Sequence, residues 1–219
     1  MKDERAAKIL QILPHDIAPP SWVKLRRDPF ETLVTTILSQ NTADRNTARA
    51  FEQLSKRFEI SPEALAKAEL SQIEDAIRPA GLYRSKAQAI KQAAVTILEK
   101  HHGTLQPILS LPLDEARKTL MQFKGVGPKT ADVVLLFAAK QPTVPVDTHV
   151  NRVSKRLGIA PKNGDYEAVR LSLQKVFDER DYLAVHQLLI GHGRQFCKAH
   201  KPLCSECQIV GYCQTKGEL

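Results

Sequence analysis

The sequence predicts an all-α protein, and three observations carry that expectation. Apolar residues recur at helical spacing along nearly the whole chain. No run of alternating apolar and polar residues reads as a strand, and no Asn-Gly turn joins two such runs. Phe30, Leu33, Val34, Ile37 and Leu38 fall at i, i+3, i+4, i+7 and i+8, which makes one apolar stripe. Phe51, Leu54 and Phe58 repeat the pattern. Ser61-Pro62-Glu63 reads as a helix start, with Ser as N-cap and Pro at the first helical position. Ser71-Gln72-Ile73-Glu74 has the form of a capping box. Ser85 reads as the opening of a helix with Ile90, Ala94 and Ile97 on one face, and Gly103 is placed to end it. Further helices are expected over roughly 114–122, 129–140, 148–157, 166–177 and 181–195. The total is about nine or ten helices joined by short loops, with no tandem repeat.

Composition narrows the class. The 219 residues are 42% hydrophobic and 26% charged, which suits a folded domain and argues against global disorder. Phe, Tyr and Trp reach only 5%, so the core must be mostly aliphatic. No run approaches the roughly 18 apolar residues of a membrane span. Met1-Lys2-Asp3-Glu4-Arg5 leads into no secretory apolar region. The expectation is an intracellular protein without a membrane partner. Thirty-two Lys and Arg against 24 Asp and Glu give a net charge of +8, which favours a polyanionic partner, nucleic acid being the commonest.

All four cysteines, Cys197, Cys204, Cys207 and Cys213, lie near the C-terminal end in the spacing C-x6-C-x2-C-x5-C. Two disulfides would suit a small secreted domain, and nothing else here reads as one. Four thiolates in one short loop suit a tetrahedral metal or an iron–sulfur cluster. Structural zinc usually takes two separated Cys-x2-Cys pairs. This loop has one such pair flanked by single cysteines, which favours a cubane cluster. Lys198, His200, Lys201 and Lys216 put basic charge on the loop, either to press on phosphates or simply to solvate it.

Phe123-Lys124-Gly125-Val126-Gly127-Pro128-Lys129-Thr130 lies between two predicted helices. Gly-Val-Gly lets the backbone approach a ligand closely. The helix beginning at Pro128 would aim its N-terminal dipole at the same place, which makes an anion site. In a basic chain this looks like a helix–hairpin–helix element that binds phosphates without reading sequence. Lys129 sits in the first helical turn, where the dipole opposes its charge. That pushes an amine toward its neutral, nucleophilic form. Asp147, in Val146-Asp147-Thr148-His149, precedes another helix. It can be an N-cap or a charge partner for an amine, and spacing alone leaves both roles open.

These pieces occur together in one family. The chain closely resembles the endonuclease III family of helix–hairpin–helix DNA glycosylases. The match runs through Leu38-Ser39 and Asp44, Gly81-Leu82-Tyr83-x-Ser85-Lys86-Ala87, Gly125-Val126-Gly127-x-Lys129-Thr130-Ala131, Val146-Asp147-Thr148-His149 and the same Cys spacing, from about Pro29 to Cys213. The resemblance implies a six-helix domain over roughly 22–141. It implies a second helical domain from 1–21 and 142–219, with a DNA groove between the two and a [4Fe–4S] cluster on Cys197, Cys204, Cys207 and Cys213. It implies a monomer acting on double-stranded DNA with an oxidised pyrimidine or an abasic site, the base being flipped out of the stack. Lys129 would form a Schiff base with the sugar and Asp147 would assist. Leu82 would wedge into the vacated stack. Gly125, Val126 and Gly127 would bind phosphate through their backbone, with Gln40, Asn41, Lys124, Thr130, His149 and Lys201 as further DNA contacts. The family commonly has Gln where this chain has Asn41, so either Asn41 or Gln40 would fill the space opposite the flipped base. Three rivals remain. An adenine glycosylase would need a catalytic Glu near Ile37, where the helix is apolar and its one carboxylate is Glu31. A mismatch glycosylase acting on T or U opposite G often lacks the lysine. A non-catalytic iron–sulfur DNA-binding protein would need neither Lys129 nor Asp147.

Overall fold

A computed structural model of the chain describes residues 3–13 and 28–216. Among them every regular element is helical. The α-helices are α1 (Glu4–Ile12), α2 (Pro29–Ser39), α3 (Asp44–Arg57), α4 (Pro62–Lys67), α5 (Leu70–Ala76), α6 (Tyr83–Lys100), α7 (Gln106–Leu109), α8 (Leu113–Leu120), α9 (Pro128–Ala139), α10 (Thr148–Arg156), α11 (Tyr166–Val176) and α12 (Tyr182–Gln195). None is long and apolar enough to cross a membrane. The described chain forms two compact units. One holds α1 and the residues from Pro142 onward, and the other runs from α2 to Gln141.

The expected nine or ten helices correspond to α2–α6 and α8–α12; α1 is not among them, and α7, at four residues, is too short to show a period. Local signals explain most boundaries. Asp28 caps α2 by accepting from the Glu31 N–H at 2.8 Å, with Pro29 at the first position. Ser61 caps α4 by accepting from the Ala64 N–H at 3.2 Å. Gly103, at φ 77°, closes α6 by donating to the Ile97 carbonyl at 3.0 Å. Two expected starts are corrected. α5 begins at Leu70 with Glu69 at the cap position, so Ser71 lies inside the helix and caps nothing. α6 begins at Tyr83, two residues before Ser85, whose hydroxyl instead donates back to the Leu82 carbonyl at 2.9 Å.

The α2–Gln141 unit is built around α2. Its predicted stripe is wholly buried, but so are Thr32, Thr35 and Thr36 on the other faces. A helix buried all round must satisfy its polar side chains internally. Thr35 and Thr36 do so by donating to the carbonyls of Glu31 at 2.7 Å and Thr32 at 2.6 Å. α2 packs on α9, and α6 packs on α4 and α5. The shared core is almost entirely aliphatic, with Leu33, Leu38, Ile90, Ile97 and Val134 sealed from solvent. Each such side chain contributes about 1.5–3 kcal/mol by leaving water. In the other unit α10 packs on α12. Arg5 of α1 donates to the carbonyls of Leu157 and Tyr212, which ties α1 to the cysteine loop.

Candidate functional site

The hairpin is a turn between α8 and α9. The two helices are locked together by a buried fork, with Arg117 Nε 2.8 Å from Asp132 Oδ1 and a second nitrogen 3.3 Å from Oδ2. The Val126 N–H donates to the Phe123 carbonyl at 3.1 Å. Gly125 has φ 77°, a left-handed conformation that only glycine adopts freely, and an added Cβ would lie 3.0 Å from the Ala89 methyl. Gly127 differs. Its backbone is extended at φ −94°, ψ −178°, and an added Cβ would meet nothing within 4 Å. What glycine supplies there is open space for a close approach. α9 then starts with Pro128 and has no side-chain cap, so its positive end faces outward with Lys129 half-buried in the first turn. Val126 and Thr130 are buried, whereas Lys124 is exposed and reaches Gln88 Oε1 at 3.2 Å.

Two more loops flank the hairpin in this unit. Gln40 Nε2 donates to the Gly125 carbonyl at 2.9 Å and to Thr130 Oγ1 at 3.1 Å. Its amide therefore fastens the end of α2 to the hairpin. Asn41, next along, is exposed with φ 51°. The alternatives at these two positions thus separate, with Gln40 engaged inside the fold and Asn41 presented outward. Gly81, at φ 62°, precedes Leu82, at φ 46°, whose side chain is 65% exposed. A leucine packing on the core is excluded. Lys86 lies one turn after Leu82, in α6. It is buried, and its ammonium donates to Leu38 O, Thr42 Oγ1 and Ala80 O at 2.8, 2.6 and 2.9 Å. Burial pushes its pKa down to about 8. The one sequence signal for it is a lysine at helical spacing with Ala89, Ile90 and Ala93 on an apolar face.

In the other unit Asp147 is the N-cap of α10, with Oδ1 accepting from the Val150 N–H at 2.8 Å. The capping role is therefore real, and it engages one carboxylate oxygen. His149 Nδ1 lies 3.1 Å from an Arg152 nitrogen. Arg152 also donates to the carbonyls of Cys197 and Gly193, each at 2.9 Å. The half-buried ring of His149 packs against Gly193, where an added Cβ would sit 2.9 Å from the His149 Cβ. Lys201 is exposed in the cysteine loop, at φ 49°.

The four cysteines are unpaired and half-buried, which excludes the disulfide reading. All four line one cavity of about 30 Å³, walled by apolar side chains such as Val153, Leu157, Phe196 and Leu203. Burial pushes the Cys207 thiol up, and the three other cysteines raise it further, so four thiolates would not gather there without a cation. Among the described residues, no three His, Cys, Asp or Glu side chains draw close enough to share a single ion. Four cysteines around one apolar-walled cavity are a donor set that fits an iron–sulfur cluster. Arg156 donates to Cys197 Sγ at 3.4 Å and to the carbonyls of Lys198 and Ala199, while His192 Nε2 lies 3.6 Å from Cys207 Sγ. Burial pushes His192 down to about 4, so the ring is neutral near pH 7. Arg152 and Arg156 carried no distinguishing signal in the sequence.

Residues 34–179 match the family described as HhH-GPD superfamily base excision DNA repair protein. Endonuclease III of Sulfolobus acidocaldarius is 39% identical over 189 residues, 86% of this chain and 82% of that one. A solved endonuclease III in a non-covalent DNA complex superposes with a TM-score of 0.84 at 30% identity, covering 100% of this chain and 97% of that one. A second, a trapped covalent endonuclease III–DNA intermediate, gives 0.79 at 32% identity, covering 97% and 92%. By family match, by identity along most of its length and by fold, the chain belongs to the endonuclease III family of base excision DNA repair proteins.

Proposed function

We propose that this chain is a bifunctional DNA glycosylase and abasic-site lyase that removes oxidised pyrimidines from duplex DNA. One observation carries the reading. A half-buried lysine stands at the uncapped N-terminus of the helix that follows a glycine hairpin, in the same unit as an exposed, left-handed leucine. The relative trapped as a covalent intermediate with DNA supports covalent catalysis.

The chemistry follows from that amine. Lys129 Nζ attacks the sugar C1′, and the glycosidic C–N bond breaks with its electron pair leaving on the base. Loss of a proton from nitrogen and opening of the ring give an iminium. Removal of a C2′ proton then drives β-elimination: the C3′–O bond breaks and the phosphate leaves. Asp147 is assigned the assisting role, as a carboxylate that stabilises positive charge developing on the sugar. Leu82 fills the vacated stack and Asn41 stands opposite. The backbone of Gly125, Val126 and Gly127 holds phosphate, with Lys124, His149 and Lys201 adding charge or polar contact and Gln40 and Thr130 supporting the turn.

Cys197, Cys204, Cys207 and Cys213 would hold a [4Fe–4S] cluster, which supplies a rigid core to a loop otherwise made only of short turns. Arg156 would donate to one ligand sulfur.

The test is base release and strand cleavage on duplexes carrying thymine glycol, a plain abasic site, G·U, G·T, or adenine opposite 8-oxoguanine. The expected result is release of thymine glycol with cleavage 3′ of the site. Release only of T or U opposite G would instead make it a mismatch glycosylase. Binding without release would make it a non-catalytic module. Broad absorbance near 400 nm from the purified protein is expected, and a colourless, zinc-loaded protein would overturn the cofactor assignment.

A further inference from the structure

Asn41 and Leu82 are exposed non-glycine residues held in the left-handed region. That conformation crowds the Cβ against the following carbonyl. Asn can offset the strain with a local hydrogen bond, but Leu has none to offer. Such residues persist only where the surrounding structure fixes them. The fixing group here is Lys86. It sits one turn after Leu82 in α6, and its own N–H bonds the Leu82 carbonyl at 3.1 Å. Its ammonium has three N–H donors and meets three acceptors. Leu38 O belongs to the last turn of α2, three residues before Asn41. Thr42 Oγ1 is one residue after Asn41. Ala80 O is two residues before Leu82. Thr42 Oγ1 also reaches Ala80 O at 2.5 Å, closing the ring of contacts.

A lysine 3% exposed is an expensive choice on a helix face otherwise built of Ala and Ile, where Leu or Met would pack without the cost of burying charge. We propose that Lys86 is the positioning residue of the damage-recognition loops: by clamping Leu38, Thr42 and Ala80 it holds Asn41 and Leu82 at the spacing needed to enter the duplex stack. The inference rests on the reading of Leu82 and Asn41 given above. The same helix provides a control. Lys91 Nζ donates to the carbonyls of Ala66 and Ala68 at 2.9 and 2.5 Å, closing the end of α4 with no exposed left-handed residue beside it.

The experiment measures dissociation constants of the cluster-loaded protein by fluorescence anisotropy. Two duplexes are compared, one undamaged and one containing a tetrahydrofuran abasic analogue. Lys86→Met and Leu82→Ala are each expected to weaken binding to the analogue about tenfold while leaving the undamaged duplex within about twofold. The double variant is expected to be no more than about twofold worse than the worse single one, because both act through the same insertion. Lys91→Met should keep the damage preference. Full preference in Lys86→Met, multiplying losses in the double variant, or an equal loss in Lys91→Met would each overturn the proposal. An unchanged preference in Leu82→Ala would overturn the reading beneath it, and the proposal with it. Should Lys86→Met not fold, Thr42→Val removes one clamp contact from the surface side. A loss of preference of about threefold is expected there, and no loss would overturn the clamp.

Discussion

Replacing Arg117 by Met removes one half of the fork that locks α8 to α9. Arg117 is 8% exposed and Asp132 is 0% exposed, so both charges lie out of water. For an intact buried pair, the cost of desolvation roughly cancels the attraction, and the pair adds little net stability. Removing one partner is different, because the other charge stays buried without it. The expected cost is about 3–5 kcal/mol. Against a total of roughly 5–15 kcal/mol, that is a large share of the whole. With a urea m-value of roughly 1–3 kcal/mol/M, the midpoint should fall by about 2 M. The assay is urea unfolding followed by helical circular dichroism. Arg117→Met/Asp132→Leu should regain most of the loss, since replacing a buried pair by apolar side chains of similar volume is often neutral or better. A loss below about 1 kcal/mol in the single variant, or a double variant no better than the single, would refute the reasoning.

Three further outcomes are expected. Asp147→Asn keeps an N-cap acceptor for α10 but removes the charge, so it should melt within a few degrees of the parent and lose at least tenfold in base release; Asp147→Ala should lose about 1 kcal/mol more stability, and equal stability of the two variants would show the cap is idle. Lys124→Ala should weaken binding to all duplexes alike and reduce the slope of log affinity against log salt by about 1, and a loss confined to damaged duplex would contradict its assignment to phosphate. Lys86 has a folded pKa of about 8, lowered by burial from 10.5. Between those values the unfolded chain binds the extra proton, so this group adds stability as pH rises. The stability difference between the parent and Lys86→Met should therefore grow from pH 7.5 to 9.5 in urea titrations, and a constant difference would contradict the burial of the charge.

The helices were legible where the signal was local. Ser61-Pro62, Pro128 and Asp147 each mark a start through a cap or a fixed φ, and the structure has helices at those residues. Ser71 and Ser85 misled because the chain reaches its helical path by other means. α6 in particular starts from a left-handed Leu82 anchored through the clamp of Lys86, a contact with residues 38–42 that no local window contains. The same limit hid the left-handed states of Asn41 and Leu82, since neither is glycine. The all-round burial of α2 was read only as a stripe, because its three threonines count as polar until their hydroxyls are seen to bond one turn back. At the candidate site, cysteine spacing was enough to bring four thiols to one cavity. The arginines around it were not legible, because Arg152 and Arg156 look like any basic residues on a surface helix until the fold brings the loop carbonyls to them.

The central claim is that Lys129 is the nucleophile. Borohydride trapping on a thymine glycol duplex tests it most directly, because reduction fixes a Schiff base as a stable protein–DNA adduct. The parent protein should give that adduct and Lys129→Ala should give none, with strand cleavage lost as well. An adduct or full strand cleavage surviving in Lys129→Ala would contradict the claim.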